Sequence, residues 1–107
     1  MRELKFIVQD QIITKDPECD FDGLVPGTEQ YLKAEFSFSS EWDNCVKVAS
    51  FYSPMGREYE PQILKDGHSC VIPSEALAKR RFIIKLIGKG AYTITTNKII
   101  IEQNGGK

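Results

Sequence analysis

The sequence predicts an all-β fold: an antiparallel, immunoglobulin-like β-sandwich of seven or eight short strands with one short helical turn. Apolar and polar residues alternate with period 2 through most of the 107 residues, which is typical of strands with one buried face. Turn residues separate these segments at intervals of about 8–12 residues, as in sandwiches. The sequence lacks the long helical patterns that a parallel α/β fold requires, so that class is excluded.

Three strands are predicted in the first half of the chain. In residues 4–8 the apolar positions share one face, and in residues 30–38 four apolar residues alternate with polar ones. Residues 45–52 form the third strand, and Trp42 just before it is expected to fill the core. A Pro-Met-Gly turn follows at residues 54–56.

The second half contains a turn, a helical segment and further strands. Asp66-Gly67 is a hairpin signal that leads into a strand at residues 69–72. Residues 74–77, preceded by a proline, are the one helical candidate. Residues 82–87 are apolar on both faces except at Lys85, so we place this strand at the centre of a sheet. Residues 92–101 form the last strand, with a bulge expected at residues 95–97 (Thr-Thr-Asn).

A single domain of residues 1–103 is predicted, followed by a flexible tail at residues 104–107. A chain of this size buries enough surface to fold without a disulfide or a metal. The candidate core residues are those on the apolar faces of the strands, with one residue of the helical turn and the lone tryptophan: Leu4, Phe6, Val8, Leu32, Ala34, Phe36, Phe38, Trp42, Ala49, Phe51, Val71, Leu77, Phe82, Ile84, Leu86, Ile99 and Ile101.

The net charge of −1 hides an uneven distribution of charge along the chain. Residues 1–75 hold 7 basic and 14 acidic residues, a net −7, whereas residues 76–101 hold 6 basic residues and no acid. Two interpretations stay open. The acidic and basic segments pair within the fold, or they dock head to tail on oppositely charged partners.

The cysteine content and the charged N-terminal residues predict a cytoplasmic protein. Cys19, Cys45 and Cys70 are odd in number and lack C-x-x-C spacing, so reduced thiols are expected. The N-terminal residues carry a charge at every second or third position, unlike a secretory signal. No apolar run approaches the roughly 18 residues of a membrane span, so no membrane partner is expected.

One acidic segment is similar to a calcium-binding loop. Glu18, Asp20, Asp22 and Glu29 nearly fit the pattern D-x-D-x-D-G-x5-E, in which alternate carboxylates converge on one cation. The first position is a glutamate, the flanks resemble strand, and Pro26 lies where an exit helix should begin. A solvated acidic loop is the favoured interpretation, the calcium site is the weaker one, and no cofactor is expected.

Few residues support catalysis. His68 is the only histidine and follows a turn glycine, which indicates an exposed residue. Strand spacing lets it share a face with Cys70, but no third orienting group completes a nucleophilic site. One histidine and three scattered cysteines do not suit zinc. We therefore predict that the chain is not an enzyme.

Basic and aromatic residues lie close together after the helical turn. Lys79, Arg80 and Arg81 precede Phe82, and Tyr92 follows, an arrangement found in binders of single-stranded nucleic acid. The pI near 5.8 is well below that of such domains. Nucleic acid is therefore the less favoured partner.

Five short segments occur in a characteristic order along the chain: Tyr31-Leu32-Lys33-Ala34-Glu35-Phe36-Ser37-Phe38, Glu41-Trp42-Asp43, Lys47-Val48-Ala49-Ser50-Phe51, Cys70-Val71-Ile72-Pro73-Ser74-Glu75-Ala76-Leu77 and Ile94-Thr95-Thr96-Asn97-Lys98-Ile99. Together this resembles a small β-sandwich domain of virion proteins of tailed bacteriophages of Gram-positive hosts. That domain stands at the N-terminus of baseplate or tail-fibre proteins. The resemblance covers residues 5–101.

The resemblance implies a non-enzymatic structural module that docks onto other virion subunits, made in the host cytoplasm and located in the virion. Because the chain stops at residue 107 without a fibre or receptor-binding region, head decoration or an adaptor role is expected. The alternative is a small phage-encoded intracellular protein that binds and regulates or inhibits a host protein. The acidic residues 1–75 suit that alternative as a mimic of nucleic acid.

The last two predicted strands leave an apolar face outside the core. Strict alternation gives this face an apolar centre with a cationic rim, which is typical of an interface. A second copy or another virion subunit is expected to cover it, the alternative being that the helical turn or the N-terminal strand does so. The residues are Ile83, Lys85, Ile87, Lys89, Ile94, Lys98 and Ile100.

Overall fold

Nine strands form two sheets around one shared core in the computed structural model, which describes residues 1–105. A 3-10 turn at Ser40–Trp42 and one short helix, α1 (Ser74–Leu77), complete the fold. The all-β sandwich and its helical turn at residues 74–77 are as the sequence predicts. The strands are β1 (Arg2–Gln9), β2 (Ile12–Lys15), β3 (Leu32–Phe38), β4 (Val46–Tyr52), β5 (Gln62–Ile63), β6 (Ser69–Val71), β7 (Arg81–Lys89), β8 (Thr93–Thr95) and β9 (Ile99–Glu102).

Sheet A has the strand order β2-β1-β3-β6, and sheet B has the order β5-β4-β7-β8, with β9 also pairing with β7. The paired strands are antiparallel except β1 and β3, which run parallel from Arg2 opposite Leu32 to Val8 opposite Phe38. β2 runs antiparallel to β1 and returns the chain towards the start of β1. Residues 16–31 then pass the end of β1, and β3 starts there on its other side. This parallel pair is the one departure from the antiparallel prediction.

Most of the predicted core residues are almost fully buried between the sheets. Phe38 and Ile99 are partly buried and pack against that core. The prediction for Val71 is wrong: it lies opposite Lys33, whose side of sheet A faces solvent, and it is 42% exposed. Further core residues come from loops, short strands and α1, whose sequences carry no long alternation: Ile13, Leu24, Tyr59, Leu64, Ile72 and Ala76.

The predicted last strand is split into β8 and β9 at the expected bulge. The Thr96 hydroxyl accepts a hydrogen bond from Leu86 N–H at 3.0 Å, and the Asn97 side-chain carbonyl accepts one from Ile13 N–H of sheet A at 2.8 Å. The interruption shifts the alternation by one residue, so even-numbered residues point inward in β8 and odd-numbered residues in β9. For this reason the prediction that Ile94 faces outward is wrong, and it lies in the core.

The described end of the chain is hydrogen-bonded to two neighbouring segments. The fully buried Gln103 donates from its side-chain amide to the carbonyls of Leu77 and Lys79. Gly105 N–H donates to the carbonyl of Leu24 at 3.0 Å. Residues 106 and 107 of the expected tail lie outside the described residues. Within residues 1–105, no helix is long and apolar enough to cross a membrane.

The Asp66-Gly67 turn joins the two sheets and does not close a hairpin. β5 before it pairs with β4 of sheet B, whereas β6 after it pairs with β3 of sheet A. The Asp66 carboxylate contacts the Ser69 hydroxyl and accepts hydrogen bonds from the amides of His68 and Ser69. These contacts hold the pKa of Asp66 well below its usual range. The hydrogen bond with the Ser69 hydroxyl is the largest cause, and the two amide hydrogen bonds come next.

Asp66→Asn is expected to destabilise the fold near neutral pH, by an amount that shrinks as the pH falls from about 5 to about 2. A carboxyl whose pKa is depressed by folding stabilises the protein above its unfolded pKa, about 4, and loses that effect as the pH falls towards its folded pKa. Urea midpoints of both proteins across this pH range measure the difference. A difference that does not change with pH would contradict the role of the carboxylate.

Trp42 connects the two sheets at one end of the sandwich. Its Nε1–H donates to the carbonyl of Asp10, just after β1, at 2.8 Å, and its ring centroid lies 5.2 Å from that of Phe38 in sheet A. On its other side the ring covers Gly88 of β7, where a Cβ would lie 2.8 Å from two ring carbons. Trp42 is fully buried, as predicted.

Gly88→Ala is expected to lower the free energy of unfolding by about 1–3 kcal/mol, because the added methyl group overlaps the Trp42 ring. Gly90→Ala is the comparison without ring contact: its Cβ would meet the Asn44 carbonyl oxygen at 3.1 Å, a tight but smaller overlap, so a smaller loss is expected. Urea unfolding followed by tryptophan fluorescence measures both. Equal losses in the two variants would rule out the ring as the cause.

Candidate interaction surface

Alternation along β7 creates a second apolar face outside the core. Phe82, Ile84 and Leu86 are fully buried between the sheets, so the odd-numbered residues of β7 point away from them. We call the resulting surface the outer face of sheet B. It consists of Val46, Val48, Tyr52, Ile63, Ile83, Lys85, Ile87, Lys89, Ile100 and the side chain of Lys98, which lies against Tyr52.

Two rows of apolar residues cross the outer face of sheet B in register. One row joins β5, β4 and β7, and the other joins β4, β7 and β9. Cross-strand neighbours lie about 4.5–5.5 Å apart at Cβ, so each row is a continuous apolar strip. The first row is Ile63, Val48 and Ile87, and the second is Tyr52, Ile83 and Ile100.

Lysines lie among these rows as well as beside them. Lys85 separates the two rows, and its Nζ lies 6.0 Å from the ring centroid of Tyr52. The Nζ of Lys98 lies closer, 4.5 Å from the same centroid. These stems cover the tyrosine while their ammonium groups stay at the surface. The outer face therefore combines apolar area with positive charge.

Neither β1 nor α1 covers the outer face of sheet B, although Ser50 and Tyr52 on this face are buried. β1 belongs to sheet A, and α1 buries Ala76 and Leu77 in the core. Ile63 is 57% and Ile100 is 50% exposed, while Ile83 and Ile87 are half-buried among their neighbours. The alternative in which the helical turn or the N-terminal strand covers this face is therefore wrong.

Four residues of this face were missed by sequence reasoning: Val46, Val48, Tyr52 and Ile63. Val46 and Val48 point away from the buried Ala49 and Phe51, so an assignment of faces along β4 would have found them. Ile63 lies in a two-residue strand, which is too short for alternation to show a face. Its position follows only from its pairing with Val48.

The acidic candidates for calcium binding lie on a surface loop. Glu18, Asp20, Asp22 and Glu29 are all exposed. The Asp20 carboxylate accepts a hydrogen bond from Asp22 N–H at 2.8 Å, and the Arg2 guanidinium donates to the backbone carbonyls of both residues. Within the described part of the chain, no group of three or more His, Cys, Asp or Glu is placed to hold a metal ion.

His68 faces carboxylates rather than the Cys70 thiol. Its Nδ1 lies 3.4 Å from Glu35 and its Nε2 lies 3.5 Å from Asp66. Cys70 packs against the core opposite Ala34. Burial, with the Asp66 charge as a smaller cause, raises the pKa of the Cys70 thiol to about 12. The structure therefore does not pair these two residues as base and nucleophile, and Cys19, Cys45 and Cys70 are all free thiols.

Cys70 is expected to react with iodoacetamide at least about tenfold more slowly than Cys19 near pH 8, because only the thiolate reacts and its pKa is raised. Peptide mass spectrometry after timed labelling of the folded protein gives each rate. Labelling in concentrated urea is the control, in which the two rates converge. Equal rates in the folded protein would contradict the burial of this thiol.

The basic cluster and the aromatic residues near it are separated by the fold. Lys79, Arg80 and Arg81 are exposed at the start of β7, but Phe82 points into the core and is fully buried. Tyr92 lies beyond the far end of β7, where its hydroxyl donates to the carbonyl of Glu41 at 2.6 Å. The cluster therefore lacks the aromatic stacking platform that single-strand binders use.

Comparisons with protein-family models, curated proteins and solved structures found no match to this chain. A function for it is therefore proposed from its own residues and surfaces.

Proposed function

We propose that this chain is a non-enzymatic structural or adaptor protein of a tailed-bacteriophage virion, acting through protein–protein contacts as a head-decoration, tail or baseplate component. The observation that supports this proposal is the outer face of sheet B. Its two apolar rows are exposed or half-buried except at Tyr52, which lies under lysine side chains, and they are interleaved with lysines. The resemblance of five segments to virion β-sandwich domains is the reason that we propose a phage particle as the assembly.

The chemistry of the outer face favours a protein partner. Monomeric proteins rarely leave a long contiguous apolar patch exposed, and interfaces combine an apolar centre with polar surroundings. Ile83 and Ile100 supply the apolar area at one end of the face, and Ile63 and Ile87 supply it at the other. Lys85 and the other lysines favour a partner surface that is acidic around its own apolar centre.

In this proposal the chain is made in the host cytoplasm and becomes part of the particle. The capsid or tail subunit that covers the outer face buries the apolar rows, and the lysines set its orientation. The alternative function, an intracellular regulator or inhibitor of a host protein, predicts instead that the chain stays outside the particle. Mass spectrometry of purified particles, compared with the particle-free lysate, distinguishes the two.

Ile87→Ser with Ile100→Ser is expected to abolish incorporation into particles while leaving the fold intact. Each change removes an apolar side chain from a different row, and neither residue is in the core. Particles purified from phage-producing cells that carry the variant gene are assayed by mass spectrometry. Circular dichroism and urea unfolding of the purified variant verify the fold.

The matched control is Ile12→Ser with Val71→Ser, which removes two exposed apolar side chains from sheet A. This control is expected to incorporate normally. Incorporation of the Ile87/Ile100 variant at the native level would overturn the outer face as the contact, and absence of the native chain from particles would overturn the virion role.

A further inference from the structure

A cationic cleft of about 590 Å³ lies where β7 begins, next to the outer face of sheet B. One wall is the turn that carries Met55 and Arg57, and the other is the segment of Lys79, Arg80 and Arg81. Tyr59 lies between them, almost fully buried. Four of the lining residues are cations, and none is an acid.

Hydrogen bonds fix both walls of the cleft. Ser53 N–H donates to the Arg57 carbonyl at 2.8 Å, and the Ser53 hydroxyl accepts from Arg57 N–H at 3.1 Å, which closes the turn below Met55. The buried Gln103 donates from its side chain to the Lys79 carbonyl at 2.7 Å and from its backbone to the Arg80 carbonyl. The positive charges are therefore held on a rigid frame, which reduces the entropy that a ligand must overcome.

The charges of this cleft are largely unpaired within the chain. Arg81 contacts Glu102 at 3.7 Å, and this is the one Lys or Arg salt bridge in residues 1–105. Arg57, Lys79 and Arg80 therefore face solvent without a carboxylate partner in the described chain. The interpretation that acidic and basic segments neutralise one another inside the fold is not what the structure shows.

The acidic loop of residues 16–22 is the complementary surface. Glu18, Asp20 and Asp22 are exposed, and no Lys or Arg of the described residues forms a salt bridge with them. The nearby Arg2 guanidinium donates to backbone carbonyls of this loop and holds its shape. One chain thus carries a cationic cleft and an acidic loop, each with a hydrogen-bonded backbone, and no salt bridge joins the two in the described residues.

We propose that the cationic cleft binds the acidic loop of residues 16–22 of a second copy of this chain. Because both surfaces are preformed and opposite in charge, a second copy satisfies them together. Nucleic acid fits less well, since Phe82 is buried and the aromatic residue that lines the cleft, Tyr59, is almost fully buried, which leaves no ring for base stacking. This inference does not rest on the proposed function, because it uses charges that lie outside the two apolar rows.

Charge reversal in solution tests the self-association. Sedimentation velocity at about 20 mM salt is expected to show concentration-dependent association of the native chain that disappears at about 500 mM salt. Arg57→Glu with Arg80→Glu cancels the net positive charge of the four cleft cations, and Glu18→Lys with Asp20→Lys cancels the net negative charge of the four acids in the loop. Each variant alone is expected to self-associate at least about tenfold more weakly, because one of the two complementary charges is lost.

The decisive sample is an equimolar mixture of the two variants. Each variant supplies the charge that the other lacks, so the mixture is expected to form heterodimers at low salt. Lys33→Glu with Lys65→Glu is the control for the arginine variant: it makes the same change in net charge on exposed or half-exposed lysines that do not line the cleft, and is expected to associate as the native chain does.

Two outcomes would overturn the inference. One is a mixture that stays monomeric while both variants remain folded by circular dichroism. The other is a native chain that is monomeric at low salt but binds a labelled oligodeoxythymidylate, with binding lost in the Arg57/Arg80 variant, which would assign the cleft to nucleic acid. The Ile87→Ser with Ile100→Ser variant tests the virion proposal and retains the cleft and loop charges. Self-association through the cleft and incorporation into particles can therefore fail independently.

Discussion

Trp42 determines how closely the two sheets approach, and much of the fold depends on that contact. Its indole hydrogen-bonds the backbone of Asp10 just after β1, packs on Phe38 of sheet A and fills the space above Gly88 of sheet B. A larger residue at position 88 would separate the sheets, because interiors are packed as densely as crystals and cannot absorb a methyl group freely. Trp42 therefore closes one end of the sandwich.

The opposite end carries the long connections and most of the surface chemistry. β2 has already returned the chain towards this end, so residues 16–31 pass the end of β1 to reach the start of β3 on its other side. The same end holds the start of β7 and the cationic residues next to it. This crossing places the acidic loop outside the sheets. Its carboxylates remain solvated instead of being buried against the core.

Alternation in the sequence was sufficient to assign the buried face of a long strand, and it was misleading where a strand is interrupted. Leu32 to Phe38 and Phe82 to Leu86 were assigned to their correct faces, because seven to nine residues of period 2 leave one choice. Ile94 was misassigned, since the hydrogen bonds of Thr96 and Asn97 that shift the alternation are tertiary contacts. Val71 and Ile63 lie in strands of three and two residues, whose faces depend on their partners.

The two association surfaces on sheet B supply different parts of a binding free energy. The apolar rows through Ile87 and Ile100 gain affinity from the area they remove from water, at roughly 25 cal/mol per Å² before the cost of ordering. The cationic cleft around Arg80 adds little affinity per exposed charge, but it selects the orientation of an acidic partner and accelerates encounter. Because Arg81 lies next to Ile83 on the same side of β7, the cleft adjoins the second apolar row. Apolar contact and charge selection therefore act along one continuous surface.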